Sequence, residues 1–131
     1  MALAYSVASG GFIQDTPAGA SKYLFPITGE LEVPAGLVLP FQYVKSSFTI
    51  SSVRAVFRAA GTSTYSITIT STANNGTNLV THVNNQTITP LAGQTVSVPV
   101  ALAAIGADRI LKVSITQNSG TPATDVTITV E

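Results

Sequence analysis

Two consecutive segments within residues 47–70 alternate apolar and polar side chains, and this pattern constrains the fold more than any other feature. Alternation with a period of two places one face of a segment in a core and the other outward, as in a β-strand. The apolar positions keep a single facing only if one extra residue is absorbed at Ser51 and Ser52, which predicts a β-bulge. We interpret the two segments as a central hairpin turned by residues 59–62.

The scarcity of charge predicts a surface that meets other subunits. The chain has 131 residues, enough for one domain, and only 9% of them are charged, against an average of about 25%. A mean hydropathy of +0.39 points the same way, to a component of an assembly. The alternative is a monomer coated with Ser, Thr and Asn. Six basic and six acidic residues cancel, so we expect no binding to nucleic acid or to an anionic membrane.

The sequence contains no cysteine, which excludes disulfides and thiolate metal sites. Its first residues lack the basic region and the sustained apolar run of a secretory signal, and no apolar run approaches the length of a membrane span. We therefore expect synthesis in a cytoplasm without a signal peptide. Together with the Thr- and Asn-rich β composition, this favours a part of a virion that is released by lysis.

Residues 1–21 and 22–131 differ in character. The first stretch is rich in Gly and Ala, and its glycines and proline interrupt any regular period, so we predict an extended N-terminal arm followed by a single β-sandwich domain. The arm carries too many apolar side chains for a solvated tail, and we expect it to be held against the domain or against a neighbour. The candidate contact residues of the arm are Leu3, Tyr5, Phe12 and Ile13.

Short alternating segments separated by turn residues fill the remainder of the chain. Pro26 places the first segment, residues 22–28, at the edge of a sheet. Residues 74–77 and 84–86 are typical of turns, and residues 101–107 fit either one helical turn or a loop. About eight strands without a convincing helix predict an all-β fold, either an antiparallel β-sandwich or a barrel, and we favour a jelly-roll-like sandwich.

The sequence offers few groups for catalysis or for metal binding. His82 is the one histidine, and its position opposite the apolar phase of its segment favours a surface or interface residue over a catalytic one. Glu30 and Glu32 share one strand face, but two carboxylates at this spacing more often form a solvated or salt-bridged stripe than an acid/base pair. No nucleotide-binding, calcium-binding or nucleophile motif is present. We expect a protein that is not an enzyme and that binds no cofactor or metal.

Arg54 and Arg58 lie on the outward phase of the central segment and therefore share one face. An exposed strand with two arginines is ordinary, but charge is scarce in this chain, so we interpret them as contacts between subunits. Glu30 and Glu32 are their natural counter-charges. An arginine can hold a carboxylate through two hydrogen bonds, which fixes the register of an interface as well as its energy.

Two groups of segments resemble a family of small β-sandwich structural proteins of tailed bacteriophages, which occur as head decoration (cement) proteins and as modules of tail fibres. The first group is residues 47–50, 53–55 and 60–63. The second group is residues 105–110, 113–117, 119–123 and 125–130. Between them, Asn75, Gly76 and Thr77 resemble the Asn-Gly turn of these domains. Relatives often carry an acidic residue in the strand before that turn, where this chain has Thr68, Thr70 and Ser71.

The resemblance implies a non-enzymatic virion component, a homotrimer on the exterior of a phage capsid. Its partners would be two further copies of itself and the major capsid protein, with the trimer at local threefold positions and the arm lying along the shell. The alternative is a tail-fibre or receptor-binding module that recognises a host surface, with carbohydrate as a candidate ligand. The residues available for that role are Tyr5, Tyr23, Tyr43, Tyr65, Asn74, Asn75 and Asn78.

Overall fold

The computed structural model describes residues 22–131, and these form eleven β-strands and no helix. The strands are β1 (Tyr23–Glu30), β2 (Leu37–Val38), β3 (Gln42–Val44), β4 (Phe48–Thr49), β5 (Val53–Ala59), β6 (Tyr65–Ala73), β7 (Val80–Ile88), β8 (Thr95–Ser97), β9 (Ala104–Ile105), β10 (Arg109–Gln117) and β11 (Thr124–Val130). The all-β class predicted from the alternating segments is therefore confirmed.

The long strands form two antiparallel sheets. The first sheet has the order β1-β11-β5-β8, and the second has β2 and β3 along one edge of β10, followed by β6 and β7. The short strands β4 and β9 pair separately. If β2 and β3 are counted as one interrupted strand and β4 and β9 are left aside, the eight strands have the orders 1-8-3-6 and 2-7-4-5. This is the arrangement of a jelly roll, as predicted.

The core lies between the inward faces of the two sheets, where alternate side chains of each long strand are almost fully buried. The inward residues of β10 and β11 are all among them: Leu111, Val113, Ile115, Val126, Ile128 and Val130. Full burial of one such side chain contributes about 1.5–3 kcal/mol. Strand alternation thus accounts for the core directly, because residues two apart share a face.

Several local features follow the sequence. Strand β1 is an edge strand with Pro26 exposed, and the 37–44 segment is divided at Pro40 into β2 and β3. Gly76 adopts a φ of 86° in the turn between β6 and β7, a conformation that glycine accepts without steric cost. The positions of Pro26 and Gly76 confirm the predicted edge strand and Asn-Gly turn.

The predicted irregularity at Ser51 and Ser52 is also present. The backbone N–H groups of both serines donate to the carbonyl oxygen of Glu131, at 2.7 and 2.8 Å, so two residues of one segment face a single residue of the other. This arrangement is a β-bulge, and it lets Ile50 and Val53 both point into the core.

The central hairpin predicted within residues 47–70 is wrong. Strand β5 pairs with β11 and β8 in the first sheet, whereas β6 pairs with β10 and β7 in the second. The connecting residues cross from one sheet to the other, so Phe57 and Tyr65 stack across the interior with ring centroids 5.8 Å apart. Alternation identifies which face of a strand is buried but not which strand is its neighbour, and adjacency in the chain was misleading here.

The turn predicted at residues 84–86 is also wrong, because this stretch continues strand β7. Asn85 takes a φ of 49°, and the pairing with β6 shifts by one residue between Ile67 and Ile69. The amide-rich segment therefore forms a β-bulge instead of reversing the chain. Residues 101–107 form a loop that contains β9, and not a helical turn.

Candidate assembly surface

The outer face of the second sheet is lined with hydroxyl groups. On β6 the outward, partly exposed residues are Ser66, Thr68 and Thr70, and their neighbours on β10 are Thr116, Ser114 and Lys112. Thr81 and Thr87 of β7 lie beside Thr70 and Ser66. We call this surface the hydroxyl face. It is broad, because three neighbouring long strands contribute to it.

Charge is almost absent from the hydroxyl face. Among the five strands of the second sheet, Arg109 and Lys112 are the only lysine, arginine, aspartate or glutamate residues. The Arg109 side chain turns inward to Ser71, so Lys112 alone places an ionised group on the face. Its amine lies 4.9 Å from the centre of the Phe41 ring, a cation–π distance. An outer sheet face in contact with water usually carries more charge than this.

An apolar strip borders the hydroxyl face. Val38, Phe41 and Tyr43 are 61%, 55% and 52% exposed, and they follow one another along the outer edge of β10. We call these three residues the apolar strip. These three residues were not predicted as a contact surface, although segment 37–44 has apolar residues on both phases, which indicates a strand with contacts on both faces.

The outer face of the first sheet carries the arginines singled out in the sequence. Arg54, Val56 and Arg58 are all exposed on β5, as the alternation predicted. The Nε atom of Arg58 lies 2.6 Å from Oδ2 of Asp125 on β11. This hydrogen bond is the main reason that the pKa of Asp125 lies below its usual value. A second hydrogen bond, from the backbone N–H of Gly29, lowers the pKa further. Arg58 therefore has a partner within the chain, Asp125, in place of the predicted Glu30 or Glu32.

The other charged candidates form no ion pair within residues 22–131. Arg54 lies between Thr129 and Ser97, and Glu30 ends β1 beside Thr124. Glu32, the residue that follows the buried Leu31, is exposed. Glu30 and Arg58 lie toward the same end of the first sheet, but Asp125 holds the arginine. Pairing of these groups between subunits stays a prediction, and the arm residues Leu3, Tyr5, Phe12 and Ile13 lie outside the described residues.

His82 is buried, which corrects its interpretation as a surface or interface residue. It is 1% exposed because the pairing of β7 with β6 shifts between Thr81 and Val83, and the extra residue turns His82 inward. Its Nδ1 lies 2.9 Å from the carbonyl oxygen of Leu102. Burial lowers the pKa of His82; the Leu102 hydrogen bond opposes this shift, and the charge of Arg109 adds to it.

One end of the second sheet collects polar groups around the start of β10. The Tyr43 hydroxyl donates to Asp108, and this hydrogen bond raises the pKa of Tyr43. The guanidinium of Arg109 donates to the carbonyl oxygens of Ser71 and Asn78. Tyr65, another tyrosine considered for ligand contact, is fully buried in the core instead.

Within residues 22–131, no group of three or more histidines or carboxylates is placed to hold a metal ion. The same part of the chain contains no helix that is long and apolar enough to span a membrane.

No protein-family model matches the chain, and no curated protein is similar to it in sequence. Among solved structures, the chain is similar to part of one titled "Structure of infectious bursal disease virus Gt strain", with 13% identity and a TM-score of 0.42. The match covers 92% of this chain and 35% of that chain, so this chain spans about a third of the length of the structure it matches. A similarity this remote does not identify a family or a function for this chain.

Proposed function

We propose that this chain is a non-enzymatic structural protein of a virion, and that it acts as a homotrimeric decoration (cement) protein on the exterior of a bacteriophage capsid. Three copies associate with cyclic symmetry, and the trimer binds the major capsid protein and reinforces contacts between its subunits. The observation that carries this proposal is the hydroxyl face, a broad sheet surface on which Lys112 is the single ionised group.

The chemistry of the hydroxyl face suits burial against another protein surface. Ionised groups lose much favourable hydration when a contact removes water, and this face has almost none to lose. Ser and Thr hydroxyls both donate and accept hydrogen bonds, so they find partners on many surfaces. The formal net charge of the whole chain is zero, so copies do not repel one another at long range.

In a ring with threefold symmetry, the hydroxyl face of one copy meets a different surface of the next copy. Arg54, Glu30 and Glu32 are exposed and form no ion pair among the described residues, so they are available to that second surface. Arg58 could join them by exchanging Asp125 for a carboxylate of another copy. Such pairs would set the register of the contact more than its strength.

In this proposal the arm, residues 1–21, makes the contact with the shell. A protein that binds only the assembled capsid lowers the free energy of that state by RT ln(1 + [L]/Kd). The protein can therefore reinforce the capsid without a covalent step, because it binds the assembled capsid and not the separate subunits.

The proposal is tested with emptied heads of the phage that encodes the chain, prepared without it. The purified protein should co-sediment with the heads at a fixed ratio and raise the temperature at which they break. Deletion of residues 2–20 should abolish co-sedimentation, while circular dichroism of the truncated chain should retain the β-sheet signal. Undiminished binding by the truncated chain would exclude the arm as the shell contact, and failure of the intact protein to bind would contradict the decoration role.

A second candidate is a tail-fibre or receptor-binding module. The observation in its favour is the cluster at the start of β10, where exposed Tyr43 and the backbone of Asn78 lie on either side of Arg109. Aromatic and amide groups of this kind contact sugars. Binding of the labelled protein to host cells, with no binding to heads, would favour this candidate.

A further inference from the structure

The apolar strip is left uncovered by the described part of the fold. Phe41 and Tyr43 expose about half of their surface, or roughly 100 Å² each, and Val38 adds to this area. A contiguous apolar patch approaching 300 Å² is comparable with the largest patch on a typical monomer, and such patches are often functional. We therefore expect a specific segment or protein to cover the strip.

The chain enters the fold beside the strip. Strand β1 begins at Tyr23, and the Nε2 group of Gln42 on β3 donates to the carbonyl oxygen of Leu24 at 3.2 Å. Gln42 lies between Phe41 and Tyr43, so the first residues of β1 are one hydrogen bond away from the strip. Residues 1–21 must leave the fold from this same place.

The edge of β1 is poorly suited to pairing with another strand. The outward carbonyl of Leu24 already accepts the Gln42 hydrogen bond, and Pro26, two residues further on the same edge, has no N–H to donate. A segment that lies here is therefore held by side-chain packing on the strip, and not by extension of the sheet.

The arm has the length and the side chains to reach the strip. Ile13 precedes Lys22 by nine positions, which extend to at most about 30 Å. The strip spans the distance between Ser114 and Ile110 on β10, about 13 Å. A tether of this length gives an effective concentration in the millimolar range, which favours the arm of the same molecule over other occupants.

Charge complementarity supports the same occupant. Asp15 is the one charged residue among the first 21, and it follows Ile13 by two positions. Lys112 is the cation that contacts the strip, with its amine over the Phe41 ring, and Asp108, at the Tyr43 end of the strip, accepts a hydrogen bond from the Tyr43 hydroxyl. Placing Phe12 and Ile13 on the strip brings Asp15 within reach of Lys112.

We infer that the arm covers the apolar strip of its own molecule, with Phe12 and Ile13 packed against Val38, Phe41 and Tyr43. Leu3 and Tyr5 then stay free to contact a second protein. This docking does not depend on the proposed function, since it occurs in the isolated chain.

The absence of cysteine allows a direct test by disulfide formation in the full chain. Cysteines are introduced as Ile13→Cys with Val38→Cys, and as a control Ile13→Cys with Leu91→Cys, which lies beyond β5 at the opposite side of the first sheet. Under mild oxidation, the first pair should cross-link within one molecule at least tenfold faster than the control. Equal rates would show that the tether alone brings the residues together and would overturn the inference. Cross-links between molecules would overturn it as well, because the arm would then lie on a neighbour.

A dye that fluoresces on apolar surfaces provides a second, independent readout in case the cysteine pairs fail to form. Phe12→Asp should uncover the strip and raise the fluorescence of bound dye severalfold. Leu3→Asp, the matched control at the far end of the arm, should leave it unchanged. If Phe12→Asp leaves dye binding at the level of the unmodified chain, the arm does not cover the strip. Neither measurement involves capsids, so its failure is distinct from a failure of the proposed function.

Discussion

The Oγ atom of Ser71 lies 2.7 Å from Nε2 of His82 in the buried interior of the second sheet. Because the Leu102 carbonyl can only accept a hydrogen bond, the neutral imidazole carries its proton on Nδ1. The Ser71 hydroxyl therefore donates to Nε2 and accepts the Nε–H of Arg109, at 2.8 Å. The network is complete only while His82 is neutral.

Protonation of His82 should destabilise the fold. A second proton on Nε2 would face a hydroxyl oxygen that already binds Arg109, and it would add positive charge next to that guanidinium. The pKa of His82 in the folded state lies below its ordinary value of 6.5, so the unfolded state binds the proton more tightly. The free energy of unfolding should hence be highest above pH 6.5 and fall as the pH decreases from there toward the folded-state pKa. Urea denaturation at several pH values measures this slope.

His82→Asn supplies the control for that slope, because His82 is the one histidine of the chain. The variant should be less stable at pH 7.5 but should lose the dependence between pH 7.5 and 5. Asp125 does not affect this pH range. Because its pKa is lowered in the folded state, its contribution to the free energy of unfolding is lost only below the ordinary carboxyl pKa of 3.8. An unchanged slope in the variant would mean that His82 is not the titrating group.

Two adjacent hydroxyls of β6 should respond to deletion in opposite ways. The Ser71 hydroxyl has two hydrogen-bond partners, and Ser71→Ala leaves Nε2 of His82 and Nε of Arg109 without a partner, at a cost of about 2 kcal/mol. Thr72 is 2% exposed and its Oγ1 has no partner, so Thr72→Val removes an unsatisfied group and should be neutral or stabilising by about 1 kcal/mol. Thermal and urea unfolding of the two variants measure the difference. If Thr72→Val lost as much stability as Ser71→Ala, the conclusion that the Thr72 hydroxyl is buried without a partner would be contradicted.

Tyr65 joins the two sheets through its hydroxyl. The group donates to the carbonyl oxygen of Leu31 at 2.9 Å and accepts the backbone N–H of Ala123 at 2.7 Å. Tyr65→Phe leaves both backbone groups without a partner and should lower the free energy of unfolding by about 2 kcal/mol. Tyr43→Phe is the matched control, because that hydroxyl is exposed and water can take its place as the partner of Asp108. Equal effects of the two substitutions in urea unfolding would refute the role given to the Tyr65 hydroxyl.

Gly61 is required where the loop after β5 approaches the loop before β11. It has a φ of 63°, and a Cβ atom would lie 2.5 Å from the carbonyl oxygen of Pro122. Gly76 also has a positive φ, but a Cβ there would meet nothing within 4 Å. Gly76→Ala should cost about 1–2 kcal/mol from backbone strain alone, and Gly61→Ala should cost at least about 1 kcal/mol more. Comparable melting temperatures for the two variants would contradict the close approach.

The faces of the strands were predictable from the sequence, whereas their partners were not. Alternation identified Val53, Ala55 and Phe57 as inward and Arg54 and Arg58 as outward, because side-chain direction is a local property of a strand. The partner of β5 is β11, more than 60 residues away, and no local pattern encodes that choice. The hairpin error arose from treating chain neighbours as sheet neighbours.

The site residues that the sequence analysis missed depend on such long-range pairing. The bulge that buries His82 is defined by the register of β7 against β6, and a single segment read alone places that residue outward. Asp125 reaches Arg58 only because β11 lies beside β5. The hydroxyl face needs β6, β7 and β10 side by side before its lack of charge becomes visible.

Sedimentation equilibrium tests the central claim that copies of this chain associate through the hydroxyl face. The unmodified chain should have three times the mass of one 13.5 kDa chain. Thr81→Lys with Thr87→Lys adds two charges to exposed positions of the face and should give a folded monomer. Thr89→Lys with Gln94→Lys, on the exposed connection between β7 and β8, adds the same charge elsewhere and should leave the trimer intact. A monomeric unmodified chain, or a trimer that survives the charges on the face, would contradict the account.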